Sequence, residues 1–270
     1  YYPKLLAAVP FTPVGGRRVL ADSAAHCDLL LARALQLARE LRVSSLHCLF
    51  PPPAQAERMR AQGMMLRQGV QFHWTNRGYA SFDDFLAQMN HAKRKKIRQE
   101  RRRVREAGIT CEWLEGSAIE DRHWTFFDRC YRQTYRAHRS TPYLNLAFFR
   151  RLGAALPEHL LLVVARRGKE AVAAALCMRG RDRLFGRHWG ALEHHPALHF
   201  EACYYQPIEY CIARGLQAFE GGAQGEHKIA RGLLPAATCS AHWLAHPEFA
   251  SAVEQFLARE TRGLAFYFDA

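Results

Sequence analysis

Three apolar runs follow one another with little between them: Leu160–Arg166, Ala171–Arg179 and Leu184–Ala191, the first two separated only by the turn Arg167-Gly168-Lys169. A parallel connection needs a crossover of about a dozen residues, so runs this close must pair as an antiparallel meander. That excludes a doubly wound parallel sheet. Helical patterns lie on both sides of the meander, which makes the fold class mixed α/β with a largely antiparallel sheet.

Upstream, Leu5–Phe11 reads as a strand, and Ser23 caps a helix whose Leu30, Ala34, Leu37 and Leu41 recur at helical spacing. A short buried strand, Ser45–Phe50, stops at three prolines, and a helix near Ala54–Gly63 and a strand Val70–Thr75 follow. Ser81 and Asp84 form a capping-box-like start for Phe82–Met89, and Asn90 opens a second helix that Gly108 ends. Then come a strand (Ile109–Leu114) and helices near Ile119–His138 and Leu146–Leu156. Beyond the meander the expected order is a helix from Glu201 to Arg214, a strand Gln217–Phe219, a glycine-rich loop, and a strand Thr238–Leu244. A helix Pro247–Arg259 and a last strand Leu264–Phe268 complete it. A helix-then-strand unit occurs twice, each copy followed by a His-Trp pair (His73-Trp74, His242-Trp243). This suggests a duplicated fold: residues 1–79 as the end of a truncated first copy, and 80–270 as a complete second one.

With 270 residues, 49% of them hydrophobic, the chain has core material for one large or two modest domains. Its apolar runs stop well short of the roughly 18 residues that cross a bilayer, and no secretory signal opens it. The start at Tyr1-Tyr2-Pro3, without an initiator Met, reads as a trimmed N-terminus. Eight cysteines lack any C-x-x-C pair, which suits reduced thiols in a cytoplasmic protein better than a disulfide framework or a zinc site.

The formal charge of +13 points to a polyanionic partner, whether nucleic acid, a phosphorylated ligand or, peripherally, an anionic membrane surface. Over half of it lies in one helix. Between Lys93 and Glu106, nine bases (Lys93, Arg94, Lys95, Lys96, Arg98, Arg101, Arg102, Arg103, Arg105) face only Glu100 and Glu106. Met89, Lys93, Ile97, Arg101 and Val104 share a stripe that can pack, while the other bases fan outward, as phosphates along RNA require. Lys93, Lys95, Lys96, Arg98, Arg101 and Arg102 are the nucleic-acid candidates.

A second constellation follows the strand at Phe219: Glu220-Gly221-Gly222-Ala223-Gln224-Gly225-Glu226-His227-Lys228-Ile229-Ala230-Arg231-Gly232. Its glycines allow close backbone approach to a ligand, but it is no Walker loop, lacking Gly-Lys-Ser/Thr. Lys228, Glu226 and His227 are the catalytic candidates, and Gln224, Gly225, Arg231, Glu201 and Tyr204 the substrate-binding ones. Glu201 reads first as a helix cap. His188, His194, His195 and His199 gather around Pro196 without a zinc-ligand register, so no metal is assigned.

Asn90-His91-Ala92-Lys93-Arg94-Lys95-Lys96-Ile97-Arg98, followed by Glu106-Ala107-Gly108-Ile109, resembles the K-x-R-x-x-I-R…x-x-G-V segment of FemAB-type aminoacyltransferases. Similar too are the aromatic helix Trp124–Tyr135, the strand pair split at Arg167-Gly168-Lys169, the helix ending Ala213-Arg214-Gly215, and His227–Gly232 in place of F-K-x-x-F-G. The likeness covers about residues 80–270, and is nearest to the FemAB-like bacterial group of the GNAT superfamily associated with peptidoglycan. It implies paired GNAT-like acyltransferase domains that move an amino acid from aminoacyl-tRNA to an amine of a peptidoglycan precursor, with Lys228 in the family lysine's place. His227 and Arg231 stand where the family has aromatics. No cofactor is expected under this reading. Two alternatives stay open: an acyl-CoA-dependent N-acyltransferase, against which the glycine-free stretch Leu192–His199 argues, and a non-catalytic module binding RNA or a precursor.

Overall fold

The computed structural model describes residues 2–222 and 225–264, without the side chains of Glu226 and Leu264. In chain order the elements begin with β1 (Lys4–Ala7), α1 (Ala24–Glu40), β2 (Ser45–Leu49), α2 (Pro53–Ala61), β3 (Met65–Thr75), α3 (Phe82–Ala87) and α4 (His91–Glu106). Next are β4 (Ile109–Glu115), α5 (Asp121–Ala137), α6 (Leu146–Ala155), β5 (Leu160–Arg167), β6 (Glu170–Arg179) and β7 (Arg183–Ala191). The remainder are α7 (Leu198–Phe200), a π-helical turn (Glu201–Tyr205), α8 (Gln206–Ala213), β8 (Ala218–Glu220), a 3-10 turn (Glu226–Arg231), β9 (Leu234–Leu244) and α9 (Pro247–Leu264). No described helix is long and apolar enough to cross a membrane.

The helix starts form where capping chemistry directs. Ser23, Ser81, Asn90 and Asn145 accept from the backbone amides of His26, Asp84, Lys93 and Phe148, each satisfying a donor that the first turn leaves unpaired. Gly108 ends α4 at φ +71°, a left-handed conformation that costs glycine nothing.

The chain divides into two compact units, one of Phe72–Leu234 and one of the residues up to Gln71 together with those from Pro235 on. Residues 235–264 fall with the N-terminal segment because β9 pairs antiparallel with β2, Ser45 opposite Leu244. In that unit β1 runs parallel to β2, and Leu31 and Leu35 of α1 pack with Leu46, Met59 and Ala241.

In the Phe72–Leu234 unit the meander appears as expected, with β4, β5, β6 and β7 successively antiparallel. β8 joins β7 in parallel and takes the end of β3 antiparallel on its other side. Alternation along β5 explains its unbroken apolar run: Leu160, Leu162 and Val164 meet Phe127, Tyr131 and Phe149, while Ala165 meets Val104, Ile109 and Leu198. Both faces of the meander are therefore covered by helices.

Several boundaries differ from the sequence reading, and β1 ends at Ala7 rather than Phe11 while β9 begins at Leu234 rather than Thr238. β3 begins at Met65 rather than Val70, its polar first half giving no apolar alternation to read. The helix expected to start at Glu201 begins at Leu198, where Ala197 supplies a left-handed cap residue at φ +67°. Residues up to Leu264 continue α9 instead of opening a strand, and the rest of that expected strand lies outside the described residues.

α5 crosses β7 so closely at Gly190 that a Cβ there would collide with the Cys130 carbonyl, and Thr134 Oγ1 donates to Trp189 O at 2.8 Å beside it. Since the obstacle is backbone, Gly190→Ala should lower the unfolding free energy by about 3 kcal/mol or more in urea titration. A change below about 0.5 kcal/mol would contradict this packing.

Candidate functional site

α4 has two chemically opposite faces. Ile97, Glu100 and Val104 are buried, and Arg101 turns inward with them. Its Nη2 donates to Glu201 at 3.0 Å and to Glu209 at 2.7 Å, and its guanidinium lies 4.5 Å over the Phe82 ring. Burial works against this charge, but the two carboxylates more than offset it and hold Arg101 above its ordinary value. Lys95, Lys96, Arg98 and Arg102 are exposed, and Lys93 and Arg94 half-buried. A groove of about 660 Å³ runs along this side, lined by the bases Arg94, Lys95, Arg98, Arg101, Arg102 and Arg105 together with the acids Asp83 and Glu209. Lys93 and Lys96 lie outside it. Arg94 and Arg105 line it although neither was singled out, since a charge run alone does not say which side a helix buries.

The segment after β8 carries the second constellation. Gly225 at φ +109° turns the chain into the 3-10 helix that bears Lys228. That lysine is only 1% exposed, its Nζ donates to Gly222 O at 2.7 Å, and among the described ion pairs none includes it. Burial brings its pKa down to about 8. The Tyr204 hydroxyl lies 3.1 Å from His227 Nε2, and burial, followed by the Arg231 and Lys228 charges, lowers the His227 pKa. Gln224 and the Glu226 side chain lie outside the described residues.

Arg231, a substrate-binding candidate from the sequence, is held by internal partners. It is 3% exposed, donates to Glu100 Oε1 at 2.8 Å and to His227 O at 2.8 Å, and stacks 3.3 Å from the Phe200 ring centroid. The Tyr205 hydroxyl donates to the other Glu100 oxygen. Glu201 caps nothing: it sits in the π turn, buried, between Arg101 and Gln206 Nε2, the latter at 2.7 Å. Such turns are rare and occur often at functional sites.

Between these segments and the meander lies a cavity of about 140 Å³ that the sequence did not announce, lined by Arg187, His188, Trp189, His199, Cys203 and Tyr204, with Gly221 and Gly222 at one edge. Its origin is a bulge. The β6–β7 register slips so that Leu176 opposes His188 and Cys177 opposes Gly186, leaving Arg187 as the extra residue. Burial, then the neighbouring Arg187 charge, drives the pKa of His188 down to about 4. His199 falls to about 4 through burial, then the His227, Arg231 and Lys228 charges. A wider cavity of about 600 Å³ shares Trp189 and His199 and includes His194 and His195, the latter bonded to Glu193 at 2.8 Å. The basic groove shares no lining residue with either cavity. Among the described residues no three His, Cys, Asp or Glu side chains form a metal-holding group.

A further titratable cluster was not anticipated. Glu220, buried with its pKa raised by that burial, accepts from Arg183 Nη1 at 3.2 Å and lies 3.7 Å from His73 Nε2. Burial and then the Arg183 and Lys228 charges bring His73 to about 4. Only strand pairing joins residue 73 to residue 220, so no local motif marks it.

A family model for FemAB-like proteins, described as peptidoglycan biosynthesis/recognition, matches residues 1–270, beyond the 80–270 over which the motifs were read. No curated protein matches the sequence. Among solved structures, the C-terminal domain of a candidate lysylphosphatidylglycerol synthetase from Agrobacterium fabrum is similar at a TM-score of 0.62 and 12% identity, covering 86% of this chain and 77% of its own. L-PGS from Bacillus licheniformis aligns at 0.61 and 10%, covering 85% and 78%. FemX aligns at 0.57 and 11%, covering 92% and 85%. At these identities the likeness is one of fold, and the mixed, largely antiparallel α/β class expected from the sequence is the one they share.

Two outcomes follow from the geometry. Glu100→Gln leaves the buried Arg231 charge uncompensated and should cost about 3–5 kcal/mol in urea titration. His73, His188 and His199 each have a folded pKa below the unfolded value of about 6.5. The unfolded state then binds more protons between those limits, so their contribution is complete above pH 6.5 and is lost as pH falls toward 4. Unfolding free energy should drop between pH 6.5 and 4.5 by up to about 1.4 kcal/mol per pH unit for each imidazole, a loss that His188→Asn reduces.

Proposed function

This chain belongs to the FemAB-like family, and we propose that it moves an aminoacyl group from aminoacyl-tRNA to an amine of a peptidoglycan-precursor-like acceptor. The observation that carries the reading is the buried Glu100–Arg231 bond, 2.8 Å long, which ties the helix bearing the basic groove to the turn bearing Lys228. A polyanion on the outer face of α4 and a reacting group beside the cavity would thus be held by one packed cluster. Close positioning of amine and ester is the main thing such a reaction needs.

In this reading Lys93, Lys95, Lys96, Arg98 and Arg102 contact the donor's phosphates, joined by Arg94 and Arg105, while Arg101 anchors the helix beneath. The acceptor amine attacks the ester carbonyl, the C–N bond forms and the ester C–O bond to the ribose breaks. His227, its pKa lowered, takes the amine's proton and passes it to the departing ribose oxygen, which returns the imidazole to its neutral form. Lys228, a cation at pH 7 with a pKa of about 8, offsets the charge that develops on the carbonyl oxygen. The division at residue 79 into a partial and a complete GNAT-like copy belongs to the same proposal.

Binding of tRNA should weaken by roughly a thousandfold between 50 and 200 mM salt if about six phosphates are contacted. Replacing Lys95, Lys96, Arg98 and Arg102 with alanine should flatten that slope, and Lys228→Ala should abolish transfer while leaving the melting temperature unchanged or raised. A salt-independent affinity removes the donor assignment, and full activity in Lys228→Ala removes the site. Stabilisation by coenzyme A but not by tRNA would favour the acyl-CoA reading.

A further inference from the structure

The apolar row that the spacing of α1 announces is not the row that the fold buries. Leu30, Ala34, Leu37 and Leu41 recur at helical spacing, yet α1 packs inward through the neighbouring row, Cys27, Leu31, Leu35 and Ala38. Leu30, Leu37 and the C-cap Leu41 stay 48%, 39% and 55% exposed, with Ala34 half-buried between them. Single exposed leucines need no explanation, but a row at the alternating four- and three-residue spacing of a helix-pair seam does. The row also points away from α2, which α1 holds on its other flank through the 2.7 Å Asp28–Arg58 pair.

The flanks of the row say what covers it. Along one side lie Leu31 and Ala38, already part of the chain's own core. Along the other lie Arg33 and Glu40, both exposed and joined to each other at 2.8 Å across two helical turns. A partner helix therefore meets charge on one side only, and meets one cation and one anion there. A second copy of α1, laid antiparallel about a two-fold axis, matches every position. Leu30 meets the partner's Leu41, Ala34 meets the partner's Leu37 with small against large, and Arg33 meets the partner's Glu40 once in each direction. A parallel copy would set Ala34 against Ala34 and leave a gap, and would turn Arg33 toward the flank that is already buried.

We infer that α1 is a self-association helix, whose exposed leucine row packs antiparallel against the same row of a second copy of this chain while Arg33 and Glu40 exchange partners across the two-fold axis. Two short helices bury little beside the roughly 1,600 Å² of a standard interface, so the dimer is a weak and reversible one. The inference concerns the unit built around β1, β2 and β9, and is independent of the transfer reaction.

Sedimentation equilibrium of the full chain, carried to about 500 µM because interfaces this small are weak, should show monomer and dimer in exchange. Leu37→Glu should weaken the dimer roughly tenfold or more while leaving the monomer's melting temperature unchanged, since Leu37 lies outside the core. Arg33→Glu alone sets carboxylate against carboxylate, and Glu40→Arg alone sets guanidinium against guanidinium, so each should associate severalfold more weakly than the wild-type protein. Mixed together, the two variants should form a heterodimer as tight as the wild-type dimer. Neither chain then has its internal Arg33–Glu40 pair, so the recovery can come only from charges meeting between copies. The inference fails if the chain stays monomeric over the whole range, if Leu37→Glu dimerises like the wild type, or if the mixture associates no better than its components. A chain that stays monomeric but binds phosphatidylglycerol vesicles, and loses that binding with Leu37→Glu, would give the row to a membrane surface instead. Transfer activity is not read in any of these measurements, so failure here leaves the donor assignment standing and failure of transfer leaves the dimer standing.

Discussion

The Glu100–Arg231 ion pair is the constraint around which the Phe72–Leu234 unit is arranged. Both partners are almost without solvent contact, and each is held by further groups: Tyr205 on the carboxylate, the His227 carbonyl and the Phe200 ring on the guanidinium. Two charges this deep repay their desolvation only when nearly every polar atom is matched, and a buried pair that loses one member becomes strongly unfavourable. The pair therefore acts less as a source of stability than as a fixed joint. It sets the rotation of α4 about its own axis, and with it the outward direction of the cationic fan. On the other side it sets the turn that places Lys228 beneath Gly222.

Arg101 is a second joint of the same kind, one helical step along, held by Glu201 and Glu209. Together the two joints tie the base-rich helix to elements far away in sequence, Arg101 through the carboxylates of Glu201 and Glu209 and Glu100 through the Arg231 guanidinium. The remaining bases, on the outer face, are solvated, and ion pairs there such as Arg98–Asp83 at 3.3 Å contribute little. The protein thus uses one helix in two electrostatic regimes. Matched charges on the inside give geometry, and unmatched charges on the outside give a field that salt screens.

Much of the local architecture was legible because short-range chemistry dictates it. The capping serines and asparagines, Gly108 after α4, and the turn at Arg167-Gly168-Lys169 act through bonds spanning a few residues, and the elements they bound appear where expected. The candidate site was only half legible. Lys228, His227 and Tyr204 do come together, but Glu201 and Arg231, which looked available to a substrate, are consumed by internal pairs. The cavity was not legible, because a bulge is a relation between two strands, and nothing in residues 184–191 alone shows that β6 will oppose them out of step.

The amino-acid sequence by itself determined the strand and helix types, the antiparallel meander and the concentration of positive charge on one helix, all consequences of hydrophobic period, turn length and composition. Only the tertiary structure decided which of those charges face water and which face a carboxylate, and that a bulge between β6 and β7 places Arg187 beside a cavity. The physical reason is that burial and pairing depend on groups a hundred residues or more apart, as Arg101 is from Glu201 and Glu100 from Arg231. A side chain's charge is written in its chemistry, whereas its solvent and its partner are properties of the fold.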